Sequence, residues 1–373
     1  MRGRNRPGER AFNGLTHGGV KDCAGEPPLP LSDAQDYPLW INALIFAFAA
    51  ACVWGAGTRL TVSLDAIALK TGLGQAFVGM LLLGGITSLP EVANVITSSW
   101  TGNPGLAVNN LLGSAAINVL LLALADAFIG REALTSAVAK PSTMMMATLC
   151  ILVLIAVATA IAVGDVPVLG VGVWSVLICA MSIGAFWLSA SYGRRAQWIV
   201  EGEPQTEEET EENHESGMPL RSLVVRSGIL GAVIFVAGYA LSQTGDAIAE
   251  QTGLGTGMVG FALIGISTSM PELSSITTAI RMRRYEMAFG QILGTNFVNL
   301  SLILLADVFF AGGPVVSELG RFEQISALLG ASLVGIFMVG LLERKDSTIM
   351  KMGYDSAVVI LLFGAGLAVL ATV

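Results

Sequence analysis

Long apolar stretches separated by short polar turns follow one another along most of the chain. Each stretch is close to the ~20 residues that a helix needs to cross the hydrocarbon core of a bilayer. The pattern predicts ten membrane-spanning helices, at residues 39–64, 76–100, 104–127, 143–163, 166–191, 222–246, 257–280, 286–311, 324–342 and 354–372. We number these predicted spans 1 to 10 in chain order. The expected fold is therefore an all-α polytopic membrane protein.

Two polar segments interrupt this pattern. Residues 1–37 contain basic residues, Gly and Pro without an apolar run, which predicts a disordered N-terminal tail. Residues 193–220 carry eight Glu between 201 and 215, and such a block of like charge is typical of a solvated linker. A weak calcium-sensing or regulatory loop is the alternative for this acidic linker. The chain thus divides into the tail, a five-span block at 38–192, the linker, and a second five-span block at 221–373.

Composition narrows the class of protein. Apolar residues make up 53% of the 373 and charged residues 13%, against roughly 25% charged residues in soluble domains. This excludes a soluble enzyme, and the net charge of −8 argues against a nucleic-acid partner. The sequence has no nucleophile–base set and no cofactor-binding loop, so we expect neither an enzyme nor a bound cofactor. The four cysteines show no CxxC spacing, and the two histidines, His17 and His214, lie outside the predicted spans.

The distribution of basic residues predicts the orientation. Of the 20 Lys and Arg, 14 lie in or beside the loops that follow odd-numbered spans, one lies beside the alternate loops, and five lie in the tail. Since basic loops face the cytoplasm, we expect both termini outside and the acidic linker in the cytoplasm. The basic tail opposes this orientation, but four of its five charges lie far from the first span. The expected location is the bacterial plasma (inner) membrane.

The two five-span blocks repeat each other. The segments DAIALKTGLG at 65–74, TSLPE at 87–91 and LGSAAIN at 112–118 return as DAIAEQTGLG, TSMPE and LGTNFVN. Each pair is separated by 181 positions (246 − 65, 272 − 91 and 299 − 118). Because each block has an odd number of spans, the second block enters the membrane with the opposite orientation. The sequence therefore predicts two inverted five-helix repeats, which are typical of secondary transporters with a midplane site.

Paired polar residues in spans 2, 3, 7 and 8 are candidates for that site. Glu91 and Glu272 occupy equivalent positions inside spans, where one charge costs about 2.5–3.5 kcal/mol on a lenient scale. A hydroxyl residue lies four positions before each Glu, and a hydroxyl–amide pair with the same spacing follows in the next span, so each pair shares a helix face. These pairs are Thr87 with Glu91, Ser114 with Asn118, Thr268 with Glu272, and Thr295 with Asn299. The proline before each Glu is expected to free a backbone carbonyl, at Ile86 and Ser267.

This chemistry suits a hard cation. Carboxylate, amide, hydroxyl and carbonyl oxygens are ligands for Ca²⁺ or Na⁺ rather than for zinc or copper. Two ionised Glu would neutralise one Ca²⁺, whereas an empty site would hold two carboxylates at low dielectric. One cation would then leave only as another enters, which is a physical basis for exchange. The alternative is a pair of protonated, hydrogen-bonded carboxyls that hold helices together.

A resemblance to a known family rests on four motifs, GITSLPE and NNLLGSAAIN in the first block and GISTSMPE and GQILGTNFVN in the second. They resemble the calcium/cation antiporter superfamily, and most of all its sodium/calcium exchanger branch, over 65–128 and 246–309. The resemblance implies a ten-helix inverted-repeat fold with cation sites between spans 2, 3, 7 and 8, and with spans 1 and 6 sliding as a gate. The implied ligands are Thr87, Ser88, Glu91, Ser114, Asn118, Thr268, Ser269, Glu272, Thr295 and Asn299.

The chain also departs from this family at the site. Asn299 stands where such exchangers often carry Asp, so the site loses one possible negative charge. Gln291 and Thr295 replace the usual Asn and Ser of the second block, and Asn109 replaces a Gly of the first. These changes leave a divalent site intact but bear on the number of Na⁺ ions bound.

We therefore expect an antiporter that moves Ca²⁺ in exchange for Na⁺, with metal cations and the lipid bilayer as its partners. Three alternatives stay open: exchange for protons, a passive cation channel, and a non-transporting scaffold. Four further aspartates recur between the blocks near span ends, and we expect them to cap backbone groups or meet interfacial water, with ion-entry vestibules as the alternative. They are Asp65, Asp126, Asp246 and Asp307.

Overall fold

The apolar stretches form long helices in the computed structural model of the protein. The residues that it describes are 34–129, 138, 140–192, 217–252, 268–343, 348–349 and 352–373. The helices, numbered in chain order, are α1 Leu39–Thr71, α2 Gln75–Thr87, α3 Leu89–Trp100, α4 Pro104–Ile129, α5 Pro141–Val163, α6 Val173–Tyr192, α7 Leu220–Gln251, α8 Met270–Arg281, α9 Tyr285–Phe309, α10 Arg321–Glu343 and α11 Tyr354–Leu370. One π-helical turn, at Gly79–Leu83, lies within α2.

Local sequence sets where several helices begin and end. Helices α4 and α5 begin at prolines, because the first turn does not need the N–H that proline lacks. Helix α1 ends at Gly72, which adopts the left-handed conformation at φ 68°. Two short antiparallel hairpins precede α6 and α11. Their strands are β1 Pro167–Val168 with β2 Val171–Gly172, and β3 Thr348–Ile349 with β4 Met352–Gly353.

Most of these helices have the length of a membrane span. Among the described residues, seven helices are long and apolar enough to cross a membrane: α1, α4, α5, α6, α7, α9 and α10. Helices α2 and α3 together form an eighth candidate span that is bent by 42°. Helix α11 is a shorter apolar helix of 17 residues. Large apolar side chains such as Phe48 and Trp187 point outward from the bundle, as a lipid-facing surface requires.

Two predicted spans differ from the observed helices. Span 2 (76–100) is not one straight helix, because the chain breaks at Ser88 between α2 and α3. Span 5 (166–191) begins with a hairpin, in which Leu169 and Gly170 turn the chain at φ 55° and 86°. Its helix therefore starts only at Val173. The pattern of apolar residues continues through the hairpin, so the sequence alone does not distinguish the hairpin from the span.

The part of the chain that the structure describes begins before the predicted end of the tail. Residues 34–36 form a 3₁₀ turn, and the Ala34 carbonyl accepts a hydrogen bond from Asn42 Nδ2 at 2.8 Å. The rest of the predicted tail and most of the acidic linker lie outside the described residues. So do residues 253–267, which include the first part of predicted span 7.

Equivalent helices and strands of the two blocks are 181 positions apart, as the sequence motifs are. Helices α1 and α7 begin 181 positions apart (220 − 39). Helices α3 and α8 both begin and end 181 positions apart (270 − 89 and 281 − 100). Strands β2 and β4 end 181 positions apart as well (353 − 172). The correspondence between the blocks therefore extends to hairpins whose sequences show no obvious similarity.

Close helix packing positions the interior. Helix α1 packs along α7, and each also contacts the opposite block, α1 against α8 and α7 against α3. Helix α2 lies against α9 with glycine on both sides of the contact. A Cβ on Gly79 or Gly294 would overlap the facing backbone, and a Cβ on Gly84 would lie 3.0 Å from Thr295 N. These small residues let the two backbones touch, which brings the end of α2 beside Thr295.

Candidate cation site

Each block places the start of a helix inside the bundle. Ser88 precedes α3 and Ser269 precedes α8, and both residues have a backbone between helical and extended conformations (ψ 1° and 9°). A proline is the second residue of each new helix, where its missing N–H is tolerated. Pro90 thus lies just after the break between α2 and α3, at the bend of 42°. Glu91 and Glu272 consequently lie in the first turns of α3 and α8, where the helix dipole favours a negative charge.

The two glutamates, one from each block, interact in the interior. Both side chains are fully buried, and the Glu272 carboxylate interacts electrostatically with that of Glu91. Thr87 Oγ1 donates to the Gly84 carbonyl of α2 at 3.3 Å. Glu91 Oε1 accepts a long hydrogen bond, 3.5 Å, from Ser114 Oγ. Within the described residues, Glu91 Oε2 and both carboxylate oxygens of Glu272 lack a hydrogen-bond partner. Burying a carboxylate without a hydrogen-bond partner costs free energy, and a bound cation would offset that cost.

Amide side chains add neutral oxygens to this layer. Asn299 Nδ2 donates to Ser114 Oγ at 3.3 Å, which links α9 to α4. Asn118 Nδ2 donates to Asn296 Oδ1 at 3.5 Å. The Oδ1 atoms of Asn118 and Asn299, like Thr295 Oγ1, have no hydrogen-bond partner in the part of the chain that the structure describes. The NH₂ groups of Asn118 and Asn299 therefore donate to protein atoms, and the side-chain atoms that lack a hydrogen-bond partner are their oxygens.

All ten predicted ligands are buried. Hydrogen bonds join Glu91, Ser114 and Asn299, and Glu272 interacts electrostatically with Glu91. Ser88 Oγ donates to the Gly84 carbonyl of the preceding helix α2 at 2.8 Å. Thr268, Ser269 and Thr295 are buried at the start of α8 and on α9. Cation ligation by each of the ten remains a prediction.

Two further polar side chains reach the same interior. Asn296 Nδ2 donates to the Ala115 carbonyl at 3.5 Å, and Gln291 Nε2 donates to Ser275 Oγ. Comparison of the two blocks does not single out Asn296, because its equivalent is the apolar Ala115 (296 − 115 = 181). The only sequence indication was its position directly after Thr295 in an apolar span.

Two of the duplicated aspartates cap backbone groups, as one of the two interpretations of the sequence predicted. Asp126 Oδ2 accepts a hydrogen bond from Gly353 N at 2.7 Å. Asp307 accepts one from Gly172 N and one from Val315 N, both at 2.6 Å. Each of these aspartates thereby attaches the end of a core helix to the hairpin of the opposite block.

Asp65 forms a buried ion pair. Its carboxylate lies 2.8 Å from Arg284 Nε and also accepts hydrogen bonds from Arg284 Nη2 at 3.3 Å and Gln75 Nε2 at 2.8 Å. The pair ties α1 to the turn before α9. The Asp246 side chain lies outside what the structure describes.

The arrangement has the chemistry of a hard-cation site. Among the described residues, no group of three or more His, Cys, Asp or Glu side chains is placed to hold a metal ion. The interior offers two carboxylates together with hydroxyl and amide oxygens. Such an oxygen set suits Ca²⁺ or Na⁺ better than a transition metal.

Comparison with known proteins identifies the family. The family model described as "Sodium/calcium exchanger protein" matches residues 41–192 and 223–372, which together make up most of the chain. The chain belongs to the sodium/calcium exchanger protein family. Members of this family are transporters that exchange cations. The chain is accordingly a multi-pass membrane protein and a cation antiporter, with metal cations as its substrates.

Relatives from bacteria and archaea support this assignment. The putative antiporter CaxA of Alkalimonas amylolytica is 24% identical over 309 residues, which cover 81% of this chain and 92% of the relative. The inner membrane protein YrbG of Escherichia coli is 25% identical over 278 residues, covering 74% and 82%. The sodium/calcium exchanger MaX1 of Methanosarcina acetivorans is 26% identical over 137 residues, covering 35% and 38%.

Solved structures of a family member have the same fold. One structure of the sodium-calcium exchanger NCX_Mj, soaked with Na⁺ and Sr²⁺, superposes with a TM-score of 0.65 at 16% sequence identity. The match covers 89% of this chain and 99% of that one. At this identity the likeness establishes the shared fold.

Proposed function

We propose that the protein moves Ca²⁺ across the membrane in exchange for Na⁺ by alternating access. One observation carries the proposal: two fully buried carboxylates, Glu91 and Glu272, interact across the two blocks in a layer whose unpartnered atoms are oxygens. Two negative charges in a membrane interior must be compensated, by a bound metal cation or by protons. A site of this kind exchanges ions because its empty state is unfavourable.

We propose further that the ten predicted spans form two inverted five-helix repeats. The constant separation of 181 positions supports this, and so do two reciprocal hydrogen bonds. Asp126 receives the N–H of Gly353, and Asp307 receives that of Gly172, with both partners displaced by 181 (307 − 126 and 353 − 172). Such reciprocity is expected of two copies of one unit related by a pseudo-twofold axis.

In this proposal α1 and α7 act as the moving gate. They pack along each other, and each crosses the proline-containing helix start of the opposite block at a glycine, Gly57 or Gly238. Glycine removes side-chain obstruction at a crossing, so that one helix can shift past another. Movement of this pair would alternately expose Glu91 and Glu272 to the two sides of the membrane.

We propose an inner-membrane location with both termini outside and the acidic linker in the cytoplasm. The asymmetry of Lys and Arg between alternate loops supports this orientation.

Calcium flux in proteoliposomes tests the function. We expect an inward-directed or outward-directed Na⁺ gradient to drive ⁴⁵Ca²⁺ in the opposite direction against its own gradient. Glu272→Gln should abolish this flux in a folded protein. The matched control is Glu286→Gln, which removes a carboxylate from the partly exposed ion pair with Lys140 and should leave flux in place.

The same assay separates the alternatives. Flux that persists without Na⁺ and follows a pH gradient would replace sodium with protons as the counter-ion. Flux that needs no counter-ion would indicate a passive channel. Unchanged flux in Glu272→Gln would mean that the carboxylate pair is structural.

A further inference from the structure

We infer that Gln291 is a further cation ligand, which holds the monovalent counter-ion one helical turn beyond Thr295 on α9. The inference rests on the proposed antiport and adds a residue that distinguishes between its two ions. Gln291 is fully buried, and its Oε1 atom has no hydrogen-bond partner in the part of the chain that the structure describes. Leaving a buried oxygen without a partner costs free energy, and a bound cation would offset that cost.

The orientation of the Gln291 amide follows from the use of one hydroxyl hydrogen. Ser275 Oγ donates to a carbonyl of its own helix, either that of Pro271 at 2.8 Å or that of Glu272 at 3.0 Å. A serine hydroxyl has a single hydrogen, so toward Gln291 it acts as an acceptor, and the amide turns its NH₂ group to it. Gln291 Oε1 is thereby turned away from Ser275.

The same arrangement occurs at one of the predicted ligands. Ser114 Oγ donates to Glu91 Oε1 at 3.5 Å and accepts from Asn299 Nδ2 at 3.3 Å. Asn299 Oδ1 is likewise left without a hydrogen-bond partner among the described residues. In both cases a serine whose hydrogen is already used fixes an amide NH₂ group and leaves the amide oxygen available. Gln291 therefore has the hydrogen-bonding pattern of a predicted cation ligand.

Three oxygens of this kind follow one face of α9. Gln291, Thr295 and Asn299 are spaced four residues apart and fully buried, and within the described chain a side-chain oxygen of each lacks a hydrogen-bond partner. Residues with this spacing share a helix face and are about 6 Å apart along the axis. Two oxygens that each lie about 2.3–2.6 Å from one cation can be about 5 Å apart. Gln291 and Thr295 can therefore contact the same ion.

Gln291 lies between the carboxylate layer and the end of the bundle where α9 begins, at Tyr285. The distribution of Lys and Arg predicts that this end faces the cytoplasm. The equivalent residue of the first block, Asn110 (291 − 110 = 181), has a shorter side chain and is only half-buried. Comparison of the two blocks therefore does not predict a ligand at this position.

The side chains that form this position are neutral, which favours a monovalent ion. Gln291, Ser275 and Thr295 offer amide and hydroxyl oxygens only. The affinity of an oxygen site for Ca²⁺ depends on the number of its charged ligands, so Ca²⁺ is held in contact with Glu91 and Glu272. A monovalent cation has half the charge to compensate, and neutral oxygens beside the carboxylates suffice to hold it. Gln291 should therefore strengthen the binding of Na⁺ and have little effect on that of Ca²⁺.

Thermal unfolding of the purified full-length protein in detergent tests the inference. The midpoint is measured as a function of Na⁺ and, separately, of Ca²⁺, with choline chloride keeping the ionic strength constant, which gives the half-saturating concentration of each ion. Gln291→Met replaces the amide with an apolar side chain of similar length. We expect it to raise the half-saturating Na⁺ concentration about tenfold, equivalent to about 1.4 kcal/mol, and to change that of Ca²⁺ less than about twofold.

Two further variants accompany this measurement. Gln324→Met is the matched control, because Gln324 is a half-buried glutamine of α10 whose Nε2 donates to the Ala158 carbonyl at 3.4 Å. It should leave both half-saturating concentrations unchanged. Ser275→Ala keeps Gln291 but removes the group that orients its amide, and should raise the half-saturating Na⁺ concentration by a smaller factor, about two- to threefold. The double variant should bind Na⁺ no more weakly than Gln291→Met, because the two residues act through one contact.

The possible results separate the inference from the antiport. Unchanged Na⁺ binding in folded Gln291→Met would mean that the amide oxygen is satisfied in another way, for example by water, and would overturn the inference. An equal loss of Na⁺ and Ca²⁺ binding would also overturn it. If Gln291→Met does not fold, Ser275→Ala decides, and unchanged Na⁺ binding there counts against the inference. Absence of Na⁺-dependent stabilisation and flux in the unmodified protein would instead overturn exchange for Na⁺ itself.

Discussion

The ring of Pro90 lies directly against the backbone of Gly238. A Cβ at Gly238 would overlap the ring and lie 2.9 Å from Pro90 Cβ, so α7 crosses the start of α3 with no room for a side chain. The equivalent glycine of α1, Gly57 (238 − 57 = 181), meets Ser274 and the Pro271 carbonyl of α8 in the same way. Each candidate gate helix therefore passes the glutamate-bearing helix of the opposite block at a glycine.

Alanine at Gly238 should block transport. The added methyl group would collide with a rigid proline ring, and overpacking of this kind typically costs about 1–3 kcal/mol. We expect calcium flux to fall about tenfold or more, which corresponds to about 1.4 kcal/mol on the step that moves α7. ⁴⁵Ca²⁺ flux and thermal unfolding in detergent would be measured together.

Gly228 of the same helix provides the control. A Cβ there has no heavy atom within 4 Å, and alanine is the better helix former by about 1 kcal/mol. Gly228→Ala should keep flux within about twofold of the unmodified protein, as expected for a surface change. Equal losses in the two variants would show that the close crossing is irrelevant to transport.

Gly57 should behave differently because its neighbour is a flexible hydroxyl. Ser274 Oγ, the atom that a Cβ at Gly57 would overlap, donates to the Pro271 carbonyl at 2.9 Å. Gly57→Ala should therefore reduce flux, and the double variant with Ser274→Ala should recover a large part of it. No corresponding rescue is expected for Gly238→Ala. A double variant as inactive as Gly57→Ala would rule out this contact as the cause.

Calcium should stabilise the folded protein through the two glutamates. A ligand that binds only the folded state adds about 2.7 kcal/mol at 100 times its dissociation constant. We expect the midpoint of thermal unfolding in detergent to rise with Ca²⁺ and to return on addition of a chelator. Glu91→Gln and Glu272→Gln should lose this dependence, while Glu286→Gln should keep it. A calcium-dependent midpoint in both site variants would place the binding site elsewhere.

The carboxylate pair was accessible to sequence analysis because two independent constraints act on it. A glutamate inside an apolar span is energetically costly, which indicates a function. The duplication places the same residue at two positions with a fixed separation. Ser114 and Asn299, which join Glu91 in one hydrogen-bonded group, were accessible through the same duplication. Segment length alone also predicted the seven described helices that are long and apolar enough to cross a membrane.

Features that depend on tertiary contacts were not accessible. The bend at Ser88 looks like a continuous span in the apolar pattern, although a proline follows two residues later. The partner of Asp65 could not be predicted, because Arg284 lies 219 residues away and its equivalent position in the first block is Asn103. The repeat identifies paired positions only where both copies kept the same chemistry.

Asp307 should be important for stability rather than for ion binding. Its two carboxylate oxygens each accept a backbone N–H, from Gly172 and from Val315. Asn has only one acceptor oxygen, so Asp307→Asn should leave one buried N–H unpaired and cost about 1–3 kcal/mol of unfolding free energy. Thermal unfolding should show this loss, while the Ca²⁺ concentration for half-maximal flux stays unchanged. A shift of that concentration with stability unaltered would favour an ion-entry vestibule instead.

The Asp65–Arg284 pair should dominate the stability of the contact between α1 and the turn before α9. Both side chains are almost completely buried, so Asp65→Asn or Arg284→Gln alone leaves an uncompensated charge and should cost about 3–5 kcal/mol. The double variant removes both charges and should recover most of that loss. Glu286→Gln, which breaks the pair with the half-exposed Lys140, should cost about 1 kcal/mol or less. The free energy of unfolding of all four variants would be measured by thermal unfolding. If the losses of the two single variants add up in the double variant, the two charges do not stabilise each other.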